Sequence, residues 1–262
     1  MYLTVDRTNW FWGKAKINIL MIGIAYEGIA IPLCWKLLNK AGTASADEHK
    51  DMIETAIKII GKSCIAGVLA DREFASRALF KWFNRNKIAF YIRIKEGSQV
   101  LVGNKKFCIA KKLFNDLNPK TAKSFMMSVR VFKQKVYLAG SRSERGELMI
   151  AATNKHPQNA IAIYLRRWEI ESLFQSLKTR GFCFEETHMT EPKRIEKLIA
   201  LLAIGFCWVH KVGEWRANAK SIVFNHYQKS QRPQYSFFRY GLDAIREAIW
   251  QVSARKMSLK LI

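Results

Sequence analysis

Three runs rich in Ile, Leu, Val and Tyr open the chain, at 2–8, 15–25 and 29–35, and Glu27-Gly28 stands between the second and third where a tight turn belongs. This pattern predicts an antiparallel meander. The period then becomes helical: Met52, Ile53, Ala56, Ile57 and Ile60 share one helical face over 46–60. Ser45 with Glu48 three residues on forms a capping box, and Gly61 is placed to end the helix. An apolar strand at 64–70 ending on Asp71, a helix at 73–86 and a strand at 88–94 complete a β-β-β-α-β-α-β order. Its natural solution is an α/β fold with a mixed sheet and flanking helices.

Beyond Lys95, Gly97, Gly103, Gly140 and Gly146 punctuate short alternating runs at 99–102, 124–132, 136–141 and 147–152, which predict a β-rich insertion. Helical periodicity returns over 158–178, and a second long helix is expected from Pro192 to about Lys211. Its apolar stretch, Leu198 to Val209, is too short to span a bilayer and is expected to be a buried core helix. After Trp215 the chain is basic and weakly patterned, with a last helix expected at 242–252. The expected organisation is therefore 1–96 and 156–215 as two parts of one core, 97–155 as the β insertion, and 216–262 as a basic tail.

Composition narrows the function classes. With 262 residues and 49% hydrophobic content, the chain can bury a substantial core. Lys and Arg total 44 against 21 Asp and Glu, a formal charge of +23 spread along the sequence. The partner this implies is polyanionic, and nucleic acid is favoured over a membrane surface. The five cysteines form no CxxC pair and the histidines no ligand spacing, which argues against zinc and fits a reducing cytoplasm. No signal peptide is expected, and neither a membrane nor a small molecule is expected as a partner.

Candidate chemistry rests on three places. Asp6 lies inside an apolar strand, where its charge demands a partner; an ion pair with Arg7 and a metal-ligand role both answer that demand. Asp71 ends a strand expected to be parallel, where open α/β sheets place ligand sites; capping the next helix is the alternative. Tyr164, Arg167, Glu171 and Lys178, spaced three, four and seven apart, project from one face of the helix over 158–178. A solvated salt-bridge face would give the same spacing, but Trp168, Ile163, Ile170, Phe174 and Leu177 cover most of the remaining circumference and point to a packed helix.

Val5-Asp6-Arg7-Thr8-Asn9-Trp10, Leu69-Ala70-Asp71-Arg72-Glu73-Phe74 and the Tyr-x2-Arg-x3-Glu-x6-Lys series from Tyr164 resemble, in order, the three motif blocks of bacterial insertion-sequence DDE transposases with the YREK signature. The resemblance runs from the start to about Trp215. It implies an RNase H-like fold in which Asp6, Asp71 and Glu171 hold two Mg2+ ions, with Mn2+ as a substitute, for cleavage and strand transfer in double-stranded DNA. It further implies that Tyr164, Arg167 and Lys178 contact DNA, at transposon ends and target, in a homodimer formed at synapsis and located with the bacterial nucleoid. Trp168 matches a position able to stack on a flipped base, and equally suits a core indole. Two departures stand out. The segment 97–155 contains no Trp, leaving Phe107, Phe125, Phe132 and Tyr137 as aromatic substitutes whose expected role is strand packing. The first catalytic strand begins at residue 2, so the chain is expected to be truncated, without the usual N-terminal DNA-binding domain. Two other functions fit the sequence: a catalytically idle DNA-binding remnant that interferes with an intact transposase, and a related RNase H-like nuclease.

Overall fold

A computed structural model describes the chain except residues 14, 39, 41, 104–105, 156, 180, 226–231 and 259–262. Parts of the expected 97–155 insertion and 216–262 tail therefore lie outside the described residues. Two compact units are present, Met1–Leu173 and Phe174–Ile262.

The first unit is built on one ten-stranded sheet. The strands β1 (Tyr2–Trp12), β2 (Ala15–Tyr26) and β3 (Ile29–Leu37) form the expected meander, each running further than its apolar run indicates. Glu27 and Gly28 both adopt positive φ, 44° and 86°, as a two-residue hairpin turn requires. The helix α1 (Ala46–Ile60) starts at the capping box, with both reciprocal bonds between Ser45 and Glu48 formed, and ends at Gly61 with φ 80°.

The next strand, β4 (Gly67–Ala70), is shorter than expected because Lys62–Cys64 curl into a 3-10 turn. The helix α2 (Arg77–Arg85) also starts late. Ser76, not Asp71, accepts the capping bond from an amide in the helix's first turn, and Arg72–Phe74 form a separate 3-10 turn.

The strand β5 (Phe90–Ile94) pairs parallel to β4, which pairs parallel to β1. The strand order 3-2-1-4-5, antiparallel then parallel, is that of an RNase H-like sheet. Strands β6 (Gln99–Val102), β7 (Lys106–Ile109), β8 (Ala122–Val131), β9 (Gln134–Arg142) and β10 (Leu148–Thr153) follow. β10 pairs antiparallel with β5, so these strands extend the same sheet in the order 10-9-8-6-7. The hairpin strand β7 escaped the sequence pattern because its residues are mostly exposed.

Both faces of the sheet are covered at its central strands, which explains why those strands read as continuous apolar runs. On one face Leu3, Val5, Leu20, Ile22, Val68 and Phe90 pack with Met52, Ile53 and Ala56 of α1 and Leu79, Phe80 and Phe83 of α2. Phe90 meets Phe80 at 4.6 Å and Phe83 at 5.1 Å between centroids, and each such pair adds about 0.5–1.5 kcal/mol beyond burial. These rings fix α2, and with it the loop that carries Asp71. On the other face Leu69, Tyr91 and Ala151 pack against Ala160 and Tyr164 of α3 (Ala160–Leu165).

A 3-10 turn, Arg166–Trp168, joins α3 to α4 (Glu169–Leu177), so the expected helix over 158–178 is tightened in its middle. In the second unit, α5 (Pro192–Ala219) and α6 (Phe237–Ser258) pack together. Their backbones touch at Gly213 and Gly241: a Cβ on Gly213 would overlap the Phe237 carbonyl oxygen, and one on Gly241 the Val209 oxygen. The Leu198–Val209 stretch is not a fully buried core. Only one side of α5 faces α6, and Leu201, Ile204 and Trp208 point to solvent. Among the described residues no helix is long and apolar enough to cross a membrane.

Candidate active site

The register of β1 against β4 brings the first two acids together. Val5 pairs with Ala70 at the end of the parallel ladder, so the next residues, Asp6 in the middle of β1 and Asp71 just past the end of β4, stand side by side. Asp71 has the capping position before the 3-10 turn but makes no side-chain cap bond, leaving its carboxylate available. The Tyr164 hydroxyl donates to Asp71 Oδ1 at 3.4 Å, a long bond from a ring that is itself fully buried. Burial pushes the Tyr164 phenol up to about 12, so it is a donor at neutral pH.

Arg167 joins the third acid to the first. Its Nη1 donates to Asp6 Oδ2 at 3.0 Å and its Nη2 to Glu171 Oε1 at 2.7 Å, from a side chain that is almost entirely buried. Burial disfavours the charged guanidinium, but Tyr164, Glu171 and Asp6 outweigh it and raise its pKa. Its neighbour Arg166 anchors the same turn to the sheet. Nη2 of Arg166 donates to the Ala25 carbonyl at 2.9 Å, its Nε meets Glu169 at 3.1 Å, and its guanidinium lies over the Tyr2 ring. Two consecutive arginines thus draw the helix onto β1 and β2 at the turn where it tightens to 3-10 geometry.

Burial is also the main influence on Asp6, whose carboxyl is pushed up to about 6. The Arg7 amide, which donates to Oδ1 at 2.7 Å, and Arg167 oppose the shift; Glu73 and Asp71 reinforce it. This is a pocket of concentrated negative charge with one guanidinium set into it.

Glu73 had no role in the sequence reading, and Arg7 entered it only as a partner for Asp6. Arg7 Nη2 meets Glu73 Oε2 at 3.2 Å, and its Nη1 donates to Asn18 Oδ1 at 3.1 Å. Asn18 in turn donates to the Lys40 and Gly42 carbonyls. This chain of contacts ties β1, one residue past Asp6, to the loop two residues past Asp71, and so sets how far apart the two acids stand. The ion pair of Asp6 with Arg7 considered from sequence does not form; the partner of Asp6 is Arg167, 161 residues away. Arg7 is turned to Glu73.

Lys178 belongs to the second unit, where its Nζ meets Glu185 at 2.7 Å. Trp168 is exposed, so the reading of it as part of a packed helix circumference was wrong: between the buried Arg167 and Glu169 it faces outward. Phe107 is exposed too, contrary to strand packing. With Phe132, Leu101, Gln99, Arg130 and Lys133 it lines a cavity of about 650 Å³ at the far edge of the sheet.

Among the described residues no three His, Cys, Asp or Glu side chains converge as a ready metal cage. Arg167 stands between Asp6 and Glu171 and supplies the positive charge that these acids require. The donor set itself is all carboxylate, the hard oxygen chemistry that suits Mg2+ or Mn2+. The residues therefore fit divalent metal once the guanidinium moves aside.

Three comparisons bear on this arrangement. A family model described as a transposase DDE domain matches residues 5–208, a span that includes Asp6, Asp71, Tyr164, Arg167, Glu171 and Lys178. No curated protein is matched by the sequence. A solved structure, the piggyBac transposase synaptic complex with hairpin DNA, is similar with a TM-score of 0.45 and 13% identity. That similarity covers 67% of this chain and 40% of the piggyBac chain, so this chain spans well under half of that protein's length.

Proposed function

We propose that this chain, which belongs to the family of transposase DDE domains, carries a metal-dependent centre for phosphodiester cleavage and strand transfer in double-stranded DNA, with Asp6, Asp71 and Glu171 as its ligands. The family is one of DNA cleavage and strand-transfer enzymes. The observation that carries the reading is the register of β1 on β4, which sets Asp6 beside Asp71, together with Arg167, which ties Glu171 to the same spot.

Tyr164, Arg167, Glu171 and Lys178 are taken as the YREK series of bacterial insertion-sequence transposases. Asp6, Asp71 and Glu171 would hold two Mg2+, or Mn2+ in their place; bound metal supplies Lewis acidity toward the phosphate and a lowered pKa for the attacking water or 3′-hydroxyl. The protein's own contribution is positional. The sheet fixes Asp6 and Asp71 before substrate arrives, and the Arg7–Glu73 pair holds their spacing. Arg167 neutralises Asp6 and Glu171 in the resting chain and is the group released to a DNA phosphate when those acids take metal. Tyr164 directs a hydroxyl proton at Asp71, restricting its carboxylate to one orientation. Lys178 would add a second phosphate contact, and the charge of +23 would hold the remainder of the duplex. Synapsis of two DNA ends would bring two copies of the chain together.

The test is Asp71→Asn, assayed for cleavage of duplex DNA with Mg2+ and, separately, for DNA affinity. Cleavage should vanish while affinity is kept or slightly raised, because a ligand and a negative charge are both removed. Cleavage by the purified variant at the wild-type rate would remove Asp71 from the site.

A further inference from the structure

We infer that the cavity at the far edge of the sheet is a binding site for a free nucleotide, a flat base carrying a polyphosphate. Gln99, Leu101, Phe107, Arg130, Phe132 and Lys133 line a volume of about 650 Å³. That is the size of a small-ligand site, and the lining has the make-up of one, apolar walls with a few polar groups set among them. The strand registers show how it is built. Leu101 pairs with Phe107 on one side and with Arg130 on the other, so ring, aliphatic floor and guanidinium form one row across β7, β6 and β8. Val100 pairs with Val131, and the next residue, Phe132, leaves β8 where Gln99 begins β6.

The turn between β8 and β9 carries a second signal. Phe132 and Lys133 are its two central residues, enclosed by the pair Val131 and Gln134, and both have positive φ, 51° and 62°. A turn of this kind prefers Asn-Gly, and a bulky ring in it strains the backbone. Strain of this sort collects at ligand clamps, and both of these side chains line the cavity. Phe132 is also braced, its ring meeting the buried Phe80 edge-on at 5.6 Å. Phe107 forms a wall two strands away, 70% exposed on the short edge strand β7.

Ring and charge together choose the ligand. No Asp or Glu is among the lining residues, so Arg130 and Lys133 bring two positive charges with no counter-charge in the cavity. Lys111 and Lys123 of the same segment, by contrast, meet Glu96 and Asp116. Two cations call for an anion of more than one charge, and a guanidinium beside an ammonium is the chemistry that takes phosphate. Two phenyl rings call for a flat π system, and the Gln99 amide can both donate to and accept from the edge of a base. Phe107 and Arg130 stand two strand spacings apart, about 10 Å, which leaves room for a base at the ring and its phosphates at the guanidinium. A duplex does not fit so small a volume. The acids are also remote: in the strand order 4-5-10-9-8-6, five spacings separate β4 from β6, about 24 Å, further than a base adjoining a phosphate at Asp71 can reach.

The experiment is equilibrium dialysis of labelled ATP against the whole chain without divalent metal, with inorganic triphosphate and a short single-stranded oligonucleotide as competitors. ATP should bind, and inorganic triphosphate, which has no base to stack, should compete about tenfold or more weakly than unlabelled ATP. Phe107→Ala should weaken ATP by about 5- to 100-fold and leave triphosphate unchanged, while Phe107→Trp should bind ATP at least as tightly as wild type. Arg130→Ala should weaken both by about tenfold or more. Lys133→Gly should weaken ATP while melting no lower than wild type, since glycine relieves the positive φ. Arg77→Ala/Lys81→Ala removes two exposed cations of α2 outside the cavity and should bind ATP as wild type does. Equal competition by ATP and triphosphate, a Phe107→Ala chain that keeps its ATP affinity, or a loss in the α2 variant as large as that in Arg130→Ala reduces the binding to general charge and overturns the inference. So does an oligonucleotide that outcompetes ATP and is weakened by the same cavity substitutions, which assigns the cavity to a strand end. Strand cleavage plays no part in the readout, so its loss or survival tests the catalytic reading separately.

Discussion

Replacing Arg167 by alanine takes a buried guanidinium away from Asp6 at 3.0 Å and Glu171 at 2.7 Å. Breaking a buried pair from one side costs about 3–5 kcal/mol. The two contacts are not equal. The Glu171 side chain is 41% exposed, so water screens its share to under about 1 kcal/mol, while Asp6 at 19% keeps most of its own. A ceiling on the Asp6 share comes from protonation: a carboxyl already raised to about 6 becomes neutral at pH 7 at a further cost of about 1.4 kcal/mol. The expected loss at pH 7 is therefore about 1–2 kcal/mol, or about 2–8 °C in Tm for a chain of this size. At pH 5 Asp6 is already protonated in the wild type, so its ceiling falls close to zero and the gap between variant and wild type should narrow accordingly. The assay is calorimetry of both proteins at the two pH values, without metal and with millimolar Mg2+. Mg2+ should restore more stability to the variant than to wild type, because the acids regain a counter-cation. Equal melting of both proteins in every condition would refute the account of Arg167 as the counter-charge of this site.

Further outcomes follow from other parts of the chain. Because the Asp6 carboxyl is raised from 3.8 to about 6 mainly by burial, its contribution to stability is full below about pH 4 and is lost as pH rises through 6. Chemical denaturation of the metal-free chain should show a fall on the order of 3 kcal/mol across that window, and Asp6→Asn should flatten it; a slope that persists in the variant assigns it elsewhere. Gly213→Ala should destabilise the second unit by about 1–3 kcal/mol or more, since the new methyl meets the Phe237 carbonyl and not a movable side chain; an unchanged thermal transition would contradict the close helix crossing. Binding to duplex DNA should weaken steeply with salt, and Lys178→Ala should lower the log–log slope by about one; a slope equal to wild type would remove Lys178 from the phosphate contacts.

The fold was legible where the chain uses local signals. The Ser45–Glu48 box, the Glu27-Gly28 turn and the apolar runs of the central strands each report a bond or a burial made within a few residues, and all three appear in the structure. Boundaries failed where a short polar signal competed: Ser76 captured the start of α2, and Lys62–Cys64 shortened β4 from its front. The reading of Leu198–Val209 as a buried core helix failed for a different reason, because hydrophobic content alone does not say which side of a helix the fold has already covered. Within the site, spacing placed Tyr164, Arg167 and Glu171 on one face, and the strand-end position of Asp71 was readable. That Arg167 would be held by Asp6, and Arg7 by Glu73, was not readable, since those choices are made between residues 161 and 66 apart. The signal for Glu73 was the cluster Asp71-Arg72-Glu73 itself, a second acid two residues past the first on a loop.

The docking of β10 on β5 has a consequence for the order in which the molecule comes together. The chain leaves β5 at Ile94, completes strands β6 to β9, and returns to the flank of β5 only at Leu148, from which point it runs into the helix that carries Arg167 and Glu171. The meander of β1, β2 and β3 can form from near neighbours, but Asp6 meets Asp71 only after β4 has closed a loop of more than sixty residues, and Glu171 arrives only after β10 has closed another of more than fifty. Loops of that length are slow to close compared with helices and hairpins. The acids should therefore be kept apart through most of folding and assembled in its last stages, when the surrounding sheet is already rigid. A nascent or proteolytically shortened chain that lacks β10 would hold Asp6 and Asp71 without the helix that brings Glu171, and the three acids would not stand together until the whole sheet is in place.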